Sequence, residues 1–225
     1  DVRLALKYGI NRQELVDKIL FGYGSVGNDH PIGQGQRYFN TELAQKTYDP
    51  DKAKFHLKQA GLDSLDVKLS AADAAFGGAV DAAVLYQSSA AGAGINLTPV
   101  REANDGYWSD VWMKKPFCAV YWSGRPVEDQ MFATAYKCGA AWNDSFWCND
   151  RFDELMLKAR SELDEAKRRE MYFEMQQICS DDGGVIVPMF ANYVFGNSNK
   201  IAHSDTLGAN WDVDGMRFIE RWWMA

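Results

Sequence analysis

The segment over residues 117–148 most limits what this chain can fold into; it reads FCAVYWSGRPVEDQMFATAYKCGAAWNDSFWC. It begins with a short apolar run, 117–122, whose length and content of β-branched and aromatic residues are typical of a buried strand. Pro116 before the run and Ser123-Gly124 after it are turn signals. The sequence therefore predicts a buried strand followed by a loop.

That loop mixes aromatic side chains with glycines and a few charges. The aromatic and charged members are Trp122, Trp142, Phe146, Trp147, Arg125, Glu128 and Asp129. Ligand pockets are usually lined in this way, by flat hydrophobic walls with a few polar groups that fix orientation. A core loop with its polar rim in water would have the same composition, so both interpretations stay open at this point.

Composition excludes several classes of protein. The chain has 225 residues, of which 47% are hydrophobic, so a globular fold is expected. The net charge of -7 argues against a nucleic-acid partner. No apolar run approaches the ~20 residues of a membrane-spanning helix. Residues 1–10 are already amphipathic and lack a signal-peptide pattern, and a start in mid-pattern is typical of a domain taken from a longer protein.

The four cysteines form no CxxC pair, so a zinc site is not predicted. Cys138 and Cys148 bracket the Trp142 loop closely enough to be bridged in an oxidising compartment. The other two, Cys118 and Cys179, are expected to be buried thiols.

Helical and strand patterns alternate along the chain, which predicts an α/β layer architecture. Helices are predicted over 1–20, 50–60, 74–91, 107–113, 150–159 and 164–180, and strands over 66–70, 95–102 and 185–190, with a further strand possible over 193–196. Asn11 and Glu14 have the spacing of a capping box, and Asp49-Pro50 that of a helix start. Residues 25–47 are predicted to form a long loop, a feature that is often functional.

Several segments, in order, resemble extracellular solute-binding proteins of family 5, the peptide, nickel and opine class of ABC importer receptors. The matching segments are DVRLALKYGINRQELVDKILFGYG, YDPDKAKFHLKQAGL, YWSGRPVEDQMF and FDELMLKARSELDEAKRREMYFEMQQICSDDGGVIVPMF. Members of that family are about twice this length and bind solute between two lobes. The resemblance implies that residues 1–225 are a single α/β lobe, the C-terminal one.

The resemblance also sets the expected fold and setting. It implies a class II-like periplasmic binding protein lobe, with a mixed sheet flanked by helices and a tail, 205–225, that packs toward the missing lobe. Lobe closure around the ligand, in the manner of a Venus flytrap, is the expected motion. The implied protein is a periplasmic monomer without cofactor that hands its solute to a membrane permease.

One residue departs from the family pattern. Peptide-binding members carry an aspartate after the W-x-G of the loop, where it pairs with the peptide amino group. Here Arg125 follows Trp122-Ser123-Gly124, which inverts the charge. A guanidinium suits a carboxylate or phosphate, so the hypothesis is that Arg125 binds an anionic group of the solute. The alternative is a surface ion pair with Glu128 or Asp129.

The remaining site residues come from the same loop, except Tyr23, which is a candidate for the rim of the cleft. Trp122, Trp142 and Trp147 are candidate stacking walls, although at least one is expected in the core. The candidate ligand-binding residues are Trp122, Ser123, Gly124, Arg125, Asp129, Trp142, Asn143, Trp147 and Tyr23.

Other functions find less support in the sequence. None of the three histidines sits in a nucleophile or metal motif, and GxSxG and HExxH are absent, so an enzyme such as a hydrolase is not predicted. Aromatic platforms with carboxylates and amides also suit oligosaccharides, but Arg125 argues against a neutral sugar. So few histidines argue against direct nickel binding, whereas a metal chelated by an anionic molecule stays open.

Overall fold

The structure is a computed structural model, and it describes residues 1–208 and 211–225. The helices are α1 (Val2–Tyr8), α2 (Arg12–Lys18), α3 (Pro50–Gln59), α4 (Ala79–Ala91), α5 (Glu128–Ala135), α6 (Asp150–Ser161) and α7 (Glu165–Asp182), with the one-turn segments α8 (Asp212–Gly215) and α9 (Phe218–Arg221). The strands are β1 (Gly24–Val26), β2 (Leu65–Ala71), β3 (Ile95–Arg101), β4 (Met189–Ala191), β5 (Ile201–Ala202) and β6 (Trp223–Met224). A short π-helix covers Tyr107–Val111.

Parallel and antiparallel strand pairs are both present, as expected for an α/β lobe. Strands β2 and β3 pair in parallel over their whole length, and α4 makes the crossover between them. Strand β1 pairs with β4, and β5 with β6, in antiparallel fashion. The α/β architecture is confirmed, but the strands form separate two-stranded sheets instead of one mixed sheet.

The predicted strand over 117–122 does not form a regular strand of a sheet. It pairs with β2 at one bridge, Ser70 with Cys118. Beyond that point the carbonyl of Ala119 accepts a hydrogen bond from the Tyr107 hydroxyl, at 2.7 Å, instead of from a strand. The run is an extended and only partly buried segment, so the prediction of a buried, regular strand was wrong.

The helix predicted over 1–20 is two helices. Helix α1 ends at Gly9, where a Cβ would lie 3.0 Å from the Ile95 side chain. The Asn11 side chain caps α2 by accepting from the Glu14 N–H, as predicted. The return bond of a capping box is absent among the described residues, because the Asn11 N–H donates to Ser89 instead. The cap at Asp49, with Pro50 in the first turn of α3, is confirmed.

Among the described residues, three hydrophobic clusters form the core, and the third is a small one around Tyr107 and Val111. The first lies among α1, α3, α4, β2 and β3, and the second among α5, α6 and α7; their large buried members include Leu57, Tyr86, Ile95, Leu97, Phe132, Phe152, Leu155, Met156, Tyr172 and Met175. The inward-facing methionine and aromatic side chains of α6 and α7, among them Met156 and Met175, pack in the second cluster. Each such side chain stabilises the fold by roughly 1.5–3 kcal/mol.

A buried polar network joins the elements around the first hydrophobic cluster to helix α7 of the second. It is here called the polar junction and consists of Lys7, Arg12, Asp29 and Lys46. Lys7 donates to the carbonyls of Cys179, Ser180 and Gly183 at the end of α7, and burial lowers the pKa of its ammonium to about 8. Lys46 donates to Ser180 and Asp181 in the same turn.

The ion pair of the polar junction fastens the long loop that follows β1. Arg12 Nη2 lies 2.6 Å from Asp29 Oδ2, and Asp29 also accepts from the Val187 N–H. The residues around Asp29 are buried with it, so this part of the predicted loop is packed into the fold and not solvated.

The tail forms a small unit of its own. Strands β5 and β6 pair across it, and Asp214 accepts from Trp222 and lies 2.8 Å from Arg221. The hydrogen bonds described for the tail join its residues to one another and to residues 200–204 just before it. Residues 209–210, part of the tail predicted over 205–225, lie outside the described residues. No strand is described over 193–196. Among residues 1–208 and 211–225, no helix is long and apolar enough to cross a bilayer.

A pH dependence of stability follows from His30, which is fully buried in the long loop after β1. Burial, together with the nearby Lys46 ammonium, lowers the pKa of His30 from 6.5 to about 4. Between these values the unfolded chain binds a proton that the folded chain does not. The contribution of this group to the free energy of unfolding is therefore fully present above pH 6.5 and is lost as the pH falls toward 4. The loss is at most roughly 3 kcal/mol.

The variant His30→Gln removes this titration. Urea denaturation at pH 7.5 and at pH 4.5 should show a smaller loss of stability on acidification in the variant than in the wild type. An equal loss in both proteins would show that His30 does not carry the effect.

Candidate functional site

A cleft of about 1840 Å³ runs between the two halves of the chain. Its walls are the extended segment 115–125, the start of α4 with the residues before it, and the segments 31–36 and 184–193. Residues of the tail, among them Trp211 and Met216, lie along the same opening. The lining is mainly apolar with a few polar groups, which is the usual make-up of a small-molecule site.

The Trp122–Arg125 loop lies in the wall of this cleft, as the sequence predicted for a ligand loop. Arg125 Nη1 donates to the carbonyls of Ser123 and Gly124, at 3.0 and 3.2 Å. The guanidinium carbon lies 5.8 Å from the centre of the Trp122 ring. Within the described part of the chain, no carboxylate lies within ion-pair distance of Arg125. The guanidinium is therefore positioned by its own loop and can accept an anion.

The two acidic residues after the loop have other partners. Helix α5, which the sequence analysis missed, begins at Glu128 and places both residues in its first turn. Glu128 is buried and accepts from the Tyr38 N–H at 2.7 Å. Asp129 forms an ion pair with Arg160 of α6, again at 2.7 Å, and does not line the cleft. The expected role of Asp129 in ligand binding therefore finds no support, and neither does a surface pair with Arg125.

Asn143 and Trp147 are also placed in the fold and not at the cleft. Both are buried; Asn143 donates to the carbonyls of Lys137 and Trp147, and the indole Nε1–H of Trp147 donates to Asp182. Trp147 packs edge-on against Phe152. Trp147 is thus the tryptophan of the three that serves the core, and the candidate ligand role of Asn143 is replaced by a structural one.

The cysteines that bracket this loop, Cys138 and Cys148, form a disulfide. Cys179 is buried and Cys118 is partly buried, both as free thiols whose pKa is raised by burial. Tyr23 lies on the turn before β1 with its side chain 59% exposed, and it does not line the cleft.

The other two candidate tryptophans, Trp122 and Trp142, belong to an aromatic cluster beside the cleft. Its other members are Trp108, Trp112 and Tyr121. Their rings meet edge to face or tilted, with centroids 5.5–6.5 Å apart, the range in which aromatic pairs attract. Trp142 is 51% exposed and covers Trp112 and Trp122.

Sequence reasoning missed Asp144, which lies between this cluster and the cleft. Its Oδ2 atom accepts from the Trp112 N–H at 2.9 Å and from the Trp122 N–H at 3.3 Å. Burial raises the pKa of Asp144, and the two indole N–H groups oppose that shift. The sequence did show an acidic residue between two aromatic residues, Trp142 and Phe146. It could not show the contact with Trp112, because that residue lies in a different segment of the chain. Among the described residues, no three His, Cys, Asp or Glu side chains are grouped for a metal ion.

The fold is that of one lobe of a periplasmic binding protein, as two solved structures show. The peptide complex of DppA from Helicobacter pylori matches 99% of this chain with a TM-score of 0.73 at 20% sequence identity, and the chain covers 44% of it. The Ni(L-His) complex of NikZ from Campylobacter jejuni matches 98% with a TM-score of 0.74 at 19% identity, and the chain covers 48% of it.

The chain belongs to the bacterial extracellular solute-binding proteins, family 5, since the model of that family's middle region matches residues 1–144. This is a family of binding proteins and not of enzymes. The chain is 29% identical to the dipeptide-binding protein of Escherichia coli (strain K12) over 202 residues, which is 83% of this chain and 36% of that protein. It thus spans between about a third and a half of the length of these relatives.

The structural role of Asn143 gives a direct prediction. Asn143→Ala leaves the carbonyls of Lys137 and Trp147 without their donor, so the free energy of unfolding should fall by about 2–4 kcal/mol. Urea denaturation measures this change. Asn199→Ala, at an exposed position, is the control and should cost less than about 0.5 kcal/mol. A wild-type stability of Asn143→Ala would return Asn143 to the list of candidate ligand contacts.

Proposed function

We propose that this chain is the C-terminal lobe of the substrate-binding component of an ABC importer. The complete protein would bind a small peptide or a peptide-like anionic solute in the cleft and deliver it to the membrane permease. The observation that carries the proposal is Arg125, a guanidinium in the cleft wall that its own loop carbonyls hold in place and that no described carboxylate neutralises.

The charge and shape of the cleft support this class of solute. Arg125 offers a planar set of donors that matches a carboxylate, and the Trp122 ring beside it offers an apolar face. The relatives fit the same class, since the matched Escherichia coli protein is a dipeptide-binding protein. An amino-acid-derived anion satisfies both features.

The second lobe would close over the solute. The chain covers under half of each relative compared above, and the tail carries exposed apolar side chains, among them Ile219, Trp223 and Met224. Exposed groups of this kind mark a contact surface. In this proposal the tail, 205–225, packs toward the other lobe, and the complete protein is a periplasmic monomer without catalytic activity.

Mass spectrometry of the small molecule released on denaturing the complete protein, purified from its source without refolding, tests the solute class. A peptide or an amino-acid-derived anion is the expected result. An oligosaccharide would agree with a solute receptor but would contradict the proposed role of Arg125 in binding an anion. The absence of any bound solute in repeated preparations, together with peptide hydrolysis, would overturn the proposal.

The role of Arg125 is tested by substitution in the complete protein. Arg125→Ala should weaken binding of the released solute, measured by calorimetry, by about 10- to 100-fold, because a charge-assisted pair is lost. Arg125→Lys should lose less, since the charge stays and the planar fork does not. Arg169→Ala, on the exposed face of α7, is the matched control and should bind as the wild type. Unchanged affinity of Arg125→Ala would contradict the assignment.

A further inference from the structure

Phe146 is an aromatic residue in the cleft wall that the proposed role of Arg125 leaves unexplained. It lines the cleft, and its side chain is 70% exposed. Among residues 1–208 and 211–225, it belongs to none of the hydrophobic clusters of the core. A phenylalanine ring left in water forgoes the free energy that its burial would contribute, so the fold itself gains little from this side chain.

The backbone of Phe146 is in a strained conformation. Its φ angle is +54°, in the left-handed region that a bulky L-residue rarely adopts. Glycine would adopt the same conformation without this steric cost. Strain of this kind persists where the surrounding structure enforces it, and it is concentrated at ligand sites.

The residues around Phe146 supply the structure that enforces the strain. The Phe146 N–H donates to the Asn143 carbonyl at 3.1 Å, and Ser145 Oγ donates to Asn143 Oδ1 at 3.0 Å. A Cβ at Gly184 would lie 2.7 Å from the Ser145 Cβ, so the loop packs directly on the backbone after α7. On the other side, Trp147 packs in the second hydrophobic cluster. Because its neighbours are fixed in the fold, the turn presents the Phe146 ring to the cleft.

Phe146 and Arg125 line the same cleft and are linked through two residues. Asp144 accepts from the Trp122 N–H, and the Trp122 ring lies beside the Arg125 guanidinium. Both side chains thus border the space that a solute bound at Arg125 would occupy.

We infer that Phe146 binds an apolar side chain of the solute, so that the receptor prefers solutes with a bulky aromatic or aliphatic group. The exposed ring is then buried by the solute and not by the fold, which accounts for the strained turn that presents it. This inference rests on the proposed function, because it requires that a solute occupies the cleft.

Calorimetry on the complete protein tests the inference with three probes: alanyl-alanine, alanyl-phenylalanine and phenylalanyl-alanine. The wild type should bind the tighter of the two phenylalanine peptides at least about tenfold more tightly than alanyl-alanine, because the added ring is buried against Phe146. In Phe146→Gly this preference should fall to within about threefold, while the affinity for alanyl-alanine stays near that of the wild type. Phe146→Leu keeps an apolar side chain and should retain most of the preference.

Phe21 offers a matched control, since its side chain is 80% exposed, its φ angle is +53° and it does not line the cleft. Phe21→Gly should leave all three affinities unchanged. Thermal melting separates a ligand role of Phe146 from a structural one. Because glycine relieves the strain at a positive φ, neither glycine variant should melt more than about 2 °C below the wild type. A larger drop for Phe146→Gly would show that the ring serves the fold and would contradict the inference.

The binding data distinguish a failure of this inference from a failure of the proposed function. Equal binding of all three peptides by the wild type, or a preference that survives in Phe146→Gly, would overturn the inference alone. An equal loss for all three peptides in Phe146→Gly would also overturn it, since the ring would then contact the other lobe and not a side chain of the solute. No binding of any peptide by the wild type would overturn the inference together with the peptide class of the solute.

Discussion

The ion pair between Arg12 and Asp29 is the interaction on which the rest of the lobe depends. Both side chains are buried, and breaking such a pair from one side costs about 3–5 kcal/mol because the remaining charge is stranded. Asp29 also binds the N–H of Val187, and Lys7 caps the end of α7. The pair thus holds α2, the long loop and the segment after α7 in register, and these segments border the cleft.

Local chemistry made part of this fold predictable. The side chains of Asn11 and Asp49 cap helices where the sequence placed them, since capping involves only neighbouring residues. The apolar faces of α6 and α7 could also be predicted, because the helical spacing of apolar residues indicates which side of a helix packs in the core. The W-x-G loop with Arg125 lies in the cleft wall, as its composition and the family resemblance indicated.

The rest of the site depends on contacts between distant segments, which spacing does not encode. Asp129 was expected at the ligand, but Arg160 of the following helix pairs with it. An asparagine in a loop can donate either to a solute or to backbone carbonyls, and the sequence does not distinguish the two. In the fold, Asn143 donates to three backbone carbonyls of its own loop. Asp144 acquires its setting from Trp112, which the chain brings in from outside the loop.

The contact between Lys7 and the end of α7 joins residues that lie 172–176 positions apart. The loop that this contact closes is most of the lobe, and closing it costs entropy before any contact is gained. Helix α1 is too short to be stable by itself in water, so it depends on its packing against α3 and on its contact with the end of α7. The lobe therefore acquires its final order late and as a whole, when these distant segments meet.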